Sequence, residues 1–303
     1  MKAVVLDGYT VNPGDLSWDG IRQTAALTVY DRTSQDQVIE RIGGCEAVFT
    51  SKCKITSDVM DACPSIKFIG VLATGYDNID IAEAQKRGIA VCNVPAYSTE
   101  SVAQHTFALL LELCNHVGKC DEAVQAGKWS ACPDFTMVVA PLYQLSGKTL
   151  GIIGYGTIGK RVGQIAQAFG MTVYPYSREP EKAVQADVIS LHCPATPENR
   201  GFINKDFISR MKNGAFLINT ARGALVNEAD LAEAVKSGKL AGAAVDVVSA
   251  EPIDPSNPLL GVENIIITSH MAWTTREARQ TICRTCGDNL IAFTVGSKLN
   301  RIV

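Results

Sequence analysis

Short β-branched runs alternate with polar stretches of helical spacing along this chain, and the alternation runs through twice. In the first pass, residues 2–6, 47–50, 67–72 and 89–94 read as strands, with 34–42 and 81–87 helical between them. A long helix follows, for which Ser98 and Thr99 are N-cap candidates and Val102 to Leu113 the apolar filling. Residues 127–144 carry no period. In the second pass, 149–153, 172–176, 188–191, 215–219, 243–247 and 265–268 read as strands. Residues 157–169 and 227–236 read as helices, the latter capped by Asn227, and a last helix spans 275–295. Strands separated by helices must run parallel, because each crossover returns the chain to the same end of its sheet. The expectation is an α/β protein of two doubly wound parallel-sheet domains. One is flavodoxin-like and discontinuous, residues 1–97 with 275–303; the other is a Rossmann-type domain over 98–274. A length of 303 residues accommodates two such domains.

Composition narrows the function classes. Hydrophobic residues make up 47% and charged residues 19%, the balance of a folded chain. A formal net charge of −3 without a basic stripe argues against nucleic acid, whose binding rests on phosphate neutralisation. The opening apolar run is interrupted at Asp7 and is too short for a signal peptide. The run from Thr106 to Leu113 is broken by Glu112, so no membrane span is expected. The expected location is the cytoplasm, where the 10 cysteines would stay reduced. Cys283 and Cys286 form a CxxC within a helical pattern. Without a second pair or nearby histidines they read as core residues, and no metal is expected.

Gly154-Tyr-Gly156-Thr157-Ile158-Gly159 is a GxGxxG placed between a strand and an amphipathic helix. In that setting Gly154 permits a tight turn, Gly156 admits a pyrophosphate, and Gly159 lets the helix pack close. The helix N-terminus then offers its free N–H groups to the anion. The dinucleotide fingerprint wants an acid at the end of the next strand, to hold the ribose 2′-hydroxyl. Here that strand ends in Tyr176-Ser177-Arg178, and these residues suit a 2′-phosphate. NADP is therefore favoured over NAD, with Glu179 the alternative partner for an unphosphorylated ribose.

Arg222, Glu251 and His270 each lie just beyond a strand of the second half, at the sheet edge where ligands bind in open α/β folds. A histidine can protonate a carbonyl oxygen as hydride reaches its carbon. A carboxylate such as Glu251 beside the imidazole favours its charged form. An arginine polarises the carbonyl and holds a carboxylate. A lone histidine would read as structural; the three together read as a reacting centre.

The chain resembles the D-isomer-specific 2-hydroxyacid dehydrogenases over nearly its whole length. The resemblance is carried by the glycine loop, Leu191-His192-Cys193-Pro194, Asn219-Thr220-Ala221-Arg222-Gly223, Asp246 through Glu251-Pro252, and His270-Met-Ala-Trp273. It implies that Arg222 binds substrate, that Glu251 and His270 relay the proton, and that Asp246 contacts the nicotinamide carboxamide. It places His192, Cys193, Pro194, Thr220 and Ala221 on the cofactor side. It implies a substrate-carboxylate loop at Ala73-Thr74-Gly75, whose N–H groups would form an anion nest. Ser101-Val-Ala-Gln104-His105 matches the helix leading into the nucleotide domain, where the family more often carries Glu at the Gln104 place. Glu251 rather than Gln points to the hydroxyacid branch instead of the formate-oxidising one. Leu6-Asp-Gly-Tyr and Asn93-Val-Pro-Ala-Tyr-Ser98 resemble the glycerate dehydrogenase/hydroxypyruvate reductase group. The implied reaction is hydride transfer between NAD(P)H and a small 2-keto acid, in a cleft that closes on ligand, in a homodimer.

His105 and His116 are expected to be packing or surface residues of the long helix. For His192 and Trp273, contact with ligand and plain packing stand level. Trp129 lies in the irregular arm, which in relatives reaches toward the partner subunit. One stretch departs from the pattern: nine residues separate Ser177 from Asp187, where relatives fit a helix, a strand and a further helix. That shortening is what a non-catalytic dinucleotide sensor would tolerate, and it keeps that reading open beside the enzyme. A D-lactate dehydrogenase would run the same chemistry in a different pocket.

Overall fold

The computed structural model describes residues 1–303, which divide into two compact units: 1–98 with 274–303, and 99–273. In the first unit, β1 (Lys2–Val5), β2 (Ala26–Val29), β3 (Ala47–Thr50), β4 (Phe68–Val71) and β5 (Ala90–Cys92) form one parallel sheet. Helices α1 (Asp19–Arg22), α2 (Val38–Ile42), α3 (Ser57–Ala62) and α4 (Ile81–Lys86) are short crossovers. The strand order is β2-β1-β3-β4-β5, the flavodoxin-like winding, with its switch between β1 and β3. β1, β3 and β4 are apolar on both faces because helices cover both sides of a parallel sheet.

The second unit opens with α5 (Thr99–Asn115) and α6 (Val117–Gln125). Its strands are β6 (Thr149–Ile153), β7 (Thr172–Pro175), β8 (Val188–Leu191), β9 (Ala215–Asn219), β10 (Leu240–Val245) and β11 (Ile265–Ile267). Helices α7 (Thr157–Ala168), α8 (Pro180–Val184), α9 (Lys205–Arg210) and α10 (Glu228–Lys236) connect them. The chain then returns to the first unit as α11 (Arg276–Thr294). Two cores sandwich the second sheet. Leu150, Ile152, Phe216 and Ile218 face α5 and α7, while Ile153, Ile189, Leu217 and Val245 face α9 and α10. The alternation along each strand follows from its period of two.

The strand order of this sheet is β11-β10-β9-β8-β6-β7. The usual doubly wound half sets a third strand outside the second, giving 3-2-1-4-5-6. Here β7 is the outermost strand, and the short linker from Ser177 holds one helical turn, α8, before β8 begins. α8 can cross so tightly because Gly151 of β6 has no side chain. A Cβ there would stand 2.2 Å from the Ala183 carbonyl oxygen.

Several elements differ from the sequence expectation. β2, α1, α3, α6, α8 and α9 have no counterpart in it; all are partly exposed, and all but the nine-residue α6 are short. His116 does not continue the long helix; it takes a left-handed conformation (φ 49°) between α5 and α6. No helix is long and apolar enough to cross a membrane.

Candidate active site

The second sheet places six of the loops singled out from the sequence at the carboxyl ends of its strands: 154–159 after β6, 177–178 after β7, 192–194 after β8, 220–223 after β9, 246–251 after β10 and 268–270 after β11. The switch in winding lies between β6 and β8.

At that switch the glycines do three different jobs. Gly154 has φ +98°, and a Cβ on it would meet backbone, 2.4 Å from Cys193 N and 2.5 Å from the His192 carbonyl carbon. The loops after β6 and β8 therefore touch only because position 154 is bare. A Cβ on Gly159 would stand 2.2 Å from the Gly154 carbonyl oxygen, so Gly159 sets how close α7 comes to the sheet. Gly156 is different: its φ is ordinary at −79°, and a Cβ would meet nothing within 4 Å. That empty space lies where Thr157, Ile158 and Gly159 head a 12-residue helix with N–H groups that have no intrahelical acceptor. The residues present fit a dinucleotide diphosphate.

His192 supports the same fit. Its Nε2 lies 2.8 Å from Ser190 Oγ, while Nδ1 is sealed from solvent without any partner. Burial pushes its pKa down to about 3, so the ring is neutral. An unpaired buried nitrogen is what a crevice holds before its ligand arrives. At the end of β7, Ser177 and Arg178 are exposed, and the Arg178 guanidinium lies 5.9 Å from the centre of the Tyr155 ring in the glycine loop. Glu179 is bound to Lys182 at 2.6 Å.

Arg222, Glu251 and His270 stand at the far side of the same edge. Asn219 shapes the turn after β9: its Oδ1 accepts from Ala221 N–H (3.0 Å) and its Nδ2 donates to the Arg222 carbonyl (2.9 Å). Arg222 is exposed, with Nη1 donating to the Ala221 carbonyl at 2.8 Å. Gly223 lets this turn rest on the stretch bearing Glu251, since a Cβ there would fall 2.0 Å from the Val248 carbonyl. Glu251 Oε1 accepts from Val248 N–H (3.2 Å), which aims Oε2 at His270 Nδ1, 2.6 Å away. Both side chains are about one third exposed (34% and 29%), so the pair borders solvent. With Nδ1 committed to the carboxylate, His270 presents Nε2, which meets no protein partner.

Asp246 is buried, with 1% of its side chain exposed. Burial pushes its carboxyl up, yet His105, Thr268 and the Ala272 and Met271 N–H groups together outweigh that and hold it below the usual carboxylate range. His105 is therefore not the packing or surface residue expected. Its Nε2 lies 3.0 Å from Thr268 Oγ1 and 3.5 Å from Asp246 Oδ1. Thr106 of the same helix meets Thr220 hydroxyl to hydroxyl at 3.1 Å, steadying the loop that leads to Arg222.

In the first unit, the loop after β4 has the carbonyls of Ala73 and Thr74 engaged and their N–H groups free. Val94 N–H donates to the Ala73 carbonyl (3.0 Å), Asn93 Nδ2 to the Thr74 carbonyl (2.7 Å), and the Thr74 hydroxyl to the Val94 carbonyl (2.7 Å). The N–H groups of Ala73, Thr74 and Gly75 meet no acceptor in the protein. At the β1/β3 switch, Asp7 accepts from the N–H groups of Ser51, Lys52 and Cys53 (2.7, 2.6 and 3.1 Å). Neither the Asp7 cluster nor the His105 contact was foreseen from sequence. Asp7 carried a weak signal in standing just past the first strand; for His105, whose partners are more than 140 positions away, there was none.

Known proteins share this fold. The model of the D-isomer-specific 2-hydroxyacid dehydrogenase NAD-binding domain matches residues 107–272. Hydroxypyruvate reductase of Blautia hydrogenotrophica is 46% identical over 318 aligned positions, covering 99% of both chains. Since this chain has only 303 residues, the relative carries residues that are missing here. Glycerate dehydrogenase of Methylorubrum extorquens is 36% identical, covering 89% of this chain and 90% of its own. A crystal structure of a protein from Thermus thermophilus superposes with a TM-score of 0.88 at 32% identity, covering 100% of both chains. On the fold, the loop geometry and these likenesses, the chain belongs to the D-isomer-specific 2-hydroxyacid dehydrogenase family.

Proposed function

We propose that this enzyme reduces a small 2-keto acid, hydroxypyruvate or glyoxylate, to the D-2-hydroxy acid. The observation that carries the reading is the 2.6 Å pairing of Glu251 with His270 Nδ1, which leaves Nε2 as the one imidazole atom able to serve a substrate. When bound, NAD(P)H supplies the hydride that reduces the keto carbon. His270 Nε2 gives the carbonyl oxygen its proton, and Glu251 fixes the ring through Nδ1 so that Nε2 is left for the substrate. Arg222 holds the substrate carboxylate and polarises the carbonyl. The free N–H groups of Ala73, Thr74 and Gly75 supply a second anion nest of the kind a carboxylate needs. On this reading residues 1–98 with 274–303 are the substrate domain and 99–273 the nucleotide domain. The names of the hydroxypyruvate reductase and glycerate dehydrogenase relatives support the substrate class.

We place the cofactor diphosphate on Gly154, Gly156 and the α7 N-terminus, with His192, Cys193, Pro194, Thr220 and Ala221 along its path and Asp246 on the carboxamide side. NADP is the favoured form. Ser177 and Arg178 stand exposed where a 2′-phosphate would lie, and Glu179, the alternative ribose partner, is taken by Lys182. We also propose a cytoplasmic homodimer. All ten cysteines are free thiols, which suits a reducing compartment. Phe135 (90% exposed), Val138 and Leu142 of the irregular arm leave apolar surface open to a second copy.

The test is loss of dihydronicotinamide absorbance, with NADPH and NADH in parallel, against hydroxypyruvate, glyoxylate and pyruvate. Turnover that disappears in His270→Ala establishes the reaction. Preference for pyruvate moves the substrate to lactate. Cofactor binding without turnover on any acid overturns the reading in favour of a dinucleotide sensor.

A further inference from the structure

Consecutive backbone N–H groups converge on one side chain and its own carbonyl. His270 N–H donates to the Asp246 carbonyl (2.7 Å), Met271 N–H to Oδ1 (2.9 Å) and Ala272 N–H to Oδ2 (2.8 Å). His270 itself is left-handed at φ +55°, a conformation that residues with a Cβ adopt rarely. In that conformation neighbouring N–H groups turn the same way and form a concave anion nest. The buried Asp246 carboxylate is the anion in it, so one side chain templates the backbone shape that aims the histidine.

That carboxylate is itself held from α5. The Thr268 hydroxyl lies 2.6 Å from Asp246 Oδ1, and His105 Nε2 lies 3.0 Å from the same hydroxyl. A hydroxyl has one proton, and the ionised carboxylate has none to give. The Thr268 proton therefore goes to Asp246, and His105 Nε2 must donate to Thr268. One helical turn earlier, the Ser101 hydroxyl donates to the Ala272 carbonyl at 2.5 Å, so α5 grips the loop on both sides of His270. The ionisable side chain of this loop, His270, pairs with Glu251 from the stretch after β10.

We infer that His105 is a positioning residue for His270: through Thr268 and Asp246 it locks the left-handed loop from α5 without touching substrate or cofactor. The inference rests on the reading of His270 as the proton donor. It is tested with His105→Leu, which removes the donor, and His105→Gln, whose amide keeps one. Two readouts are taken, kcat and KM separately, and hydrogen–deuterium exchange of the peptide spanning 268–273. His105→Leu should lower kcat by about 10- to 100-fold, as small misplacements of a reacting group do, with KM for the keto acid little changed. Exchange at 268–273 should speed up by about tenfold or more while other core segments keep wild-type protection. His105→Gln should restore most of both. Wild-type kcat and exchange in His105→Leu would overturn the inference, as would loss in Leu and Gln variants alike with faster exchange throughout the unit. If the wild-type protein turns over no keto acid, the functional reading fails, and the exchange comparison still decides whether His105 locks the loop.

Discussion

Gly154→Ala and Gly156→Ala make the same chemical change two positions apart and should have opposite consequences. At 154 the backbone is at φ +98°, where an L residue costs about 1–2 kcal/mol. The new methyl would also fall 2.4 Å from Cys193 N, and backbone cannot swing aside as a flexible side chain can. Overpacking of that kind costs about 1–3 kcal/mol. Together the substitution should destabilise the second unit by about 2–5 kcal/mol, which at about 2–4 °C per kcal/mol lowers its melting temperature by about 10 °C. At 156 the backbone is ordinary and a methyl meets nothing, so Gly156→Ala should melt within about 2 °C of wild type. The methyl would instead occupy the diphosphate space and spoil charge-assisted bonds worth about 1.5–3 kcal/mol, weakening cofactor binding by about 10- to 100-fold. The assays are calorimetric melting and fluorescence titration with NADPH and NADH. A Gly156→Ala protein that melts early but binds normally, or a Gly154→Ala protein as stable as wild type, would refute this division of labour.

Further outcomes follow from the same geometry. Arg178→Ala should weaken NADPH by about 10-fold or more and leave NADH within about 2-fold, read by titration; equal loss for both would remove the 2′-phosphate role. Glu251→Gln keeps a hydrogen-bond acceptor beside His270 Nδ1 and removes its charge. It should cut kcat by about 10- to 100-fold with little change in melting temperature, since a charge-assisted bond at a part-exposed pair is at stake. Asp187 fastens β8 to β6 by accepting from Thr149 N–H and Oγ1 and from Lys212. Burial pushes its carboxyl up, but those partners hold it below the usual range. Its stabilising share is therefore complete above the ordinary aspartate pKa of about 4 and is lost as pH falls through the lowered folded value. Asp187→Asn should be less stable than wild type at neutral pH, and the gap should narrow in melts carried down toward about pH 3.

The sequence determined the architecture because its signals are local. Short continuous apolar runs mark β3 and β9, a period of 3.6 marks α10, and Asn227 caps α10 by accepting from Asp230 N–H three residues on. The positions of the glycine loop, Arg222, Glu251 and His270 beyond their strands were legible for the same reason: a parallel sheet sends every strand end to one edge. Elements such as α9 and β2 escaped because they are too short for a period to emerge, and tertiary contact rather than propensity makes them. Tertiary structure alone decided three matters. It set β7 at the outer edge of the second sheet, where the sequence showed only a nine-residue gap after Ser177 and not the strand order. It gave His105 to Thr268 and Asp246, a pairing between residues far apart in the chain. And it bent His270 into a left-handed turn around a carboxylate that the sequence offered only as a neighbour of the cofactor. Each depends on where distant backbone lies once the sheet is wound, and sequence spacing holds no information on that distance.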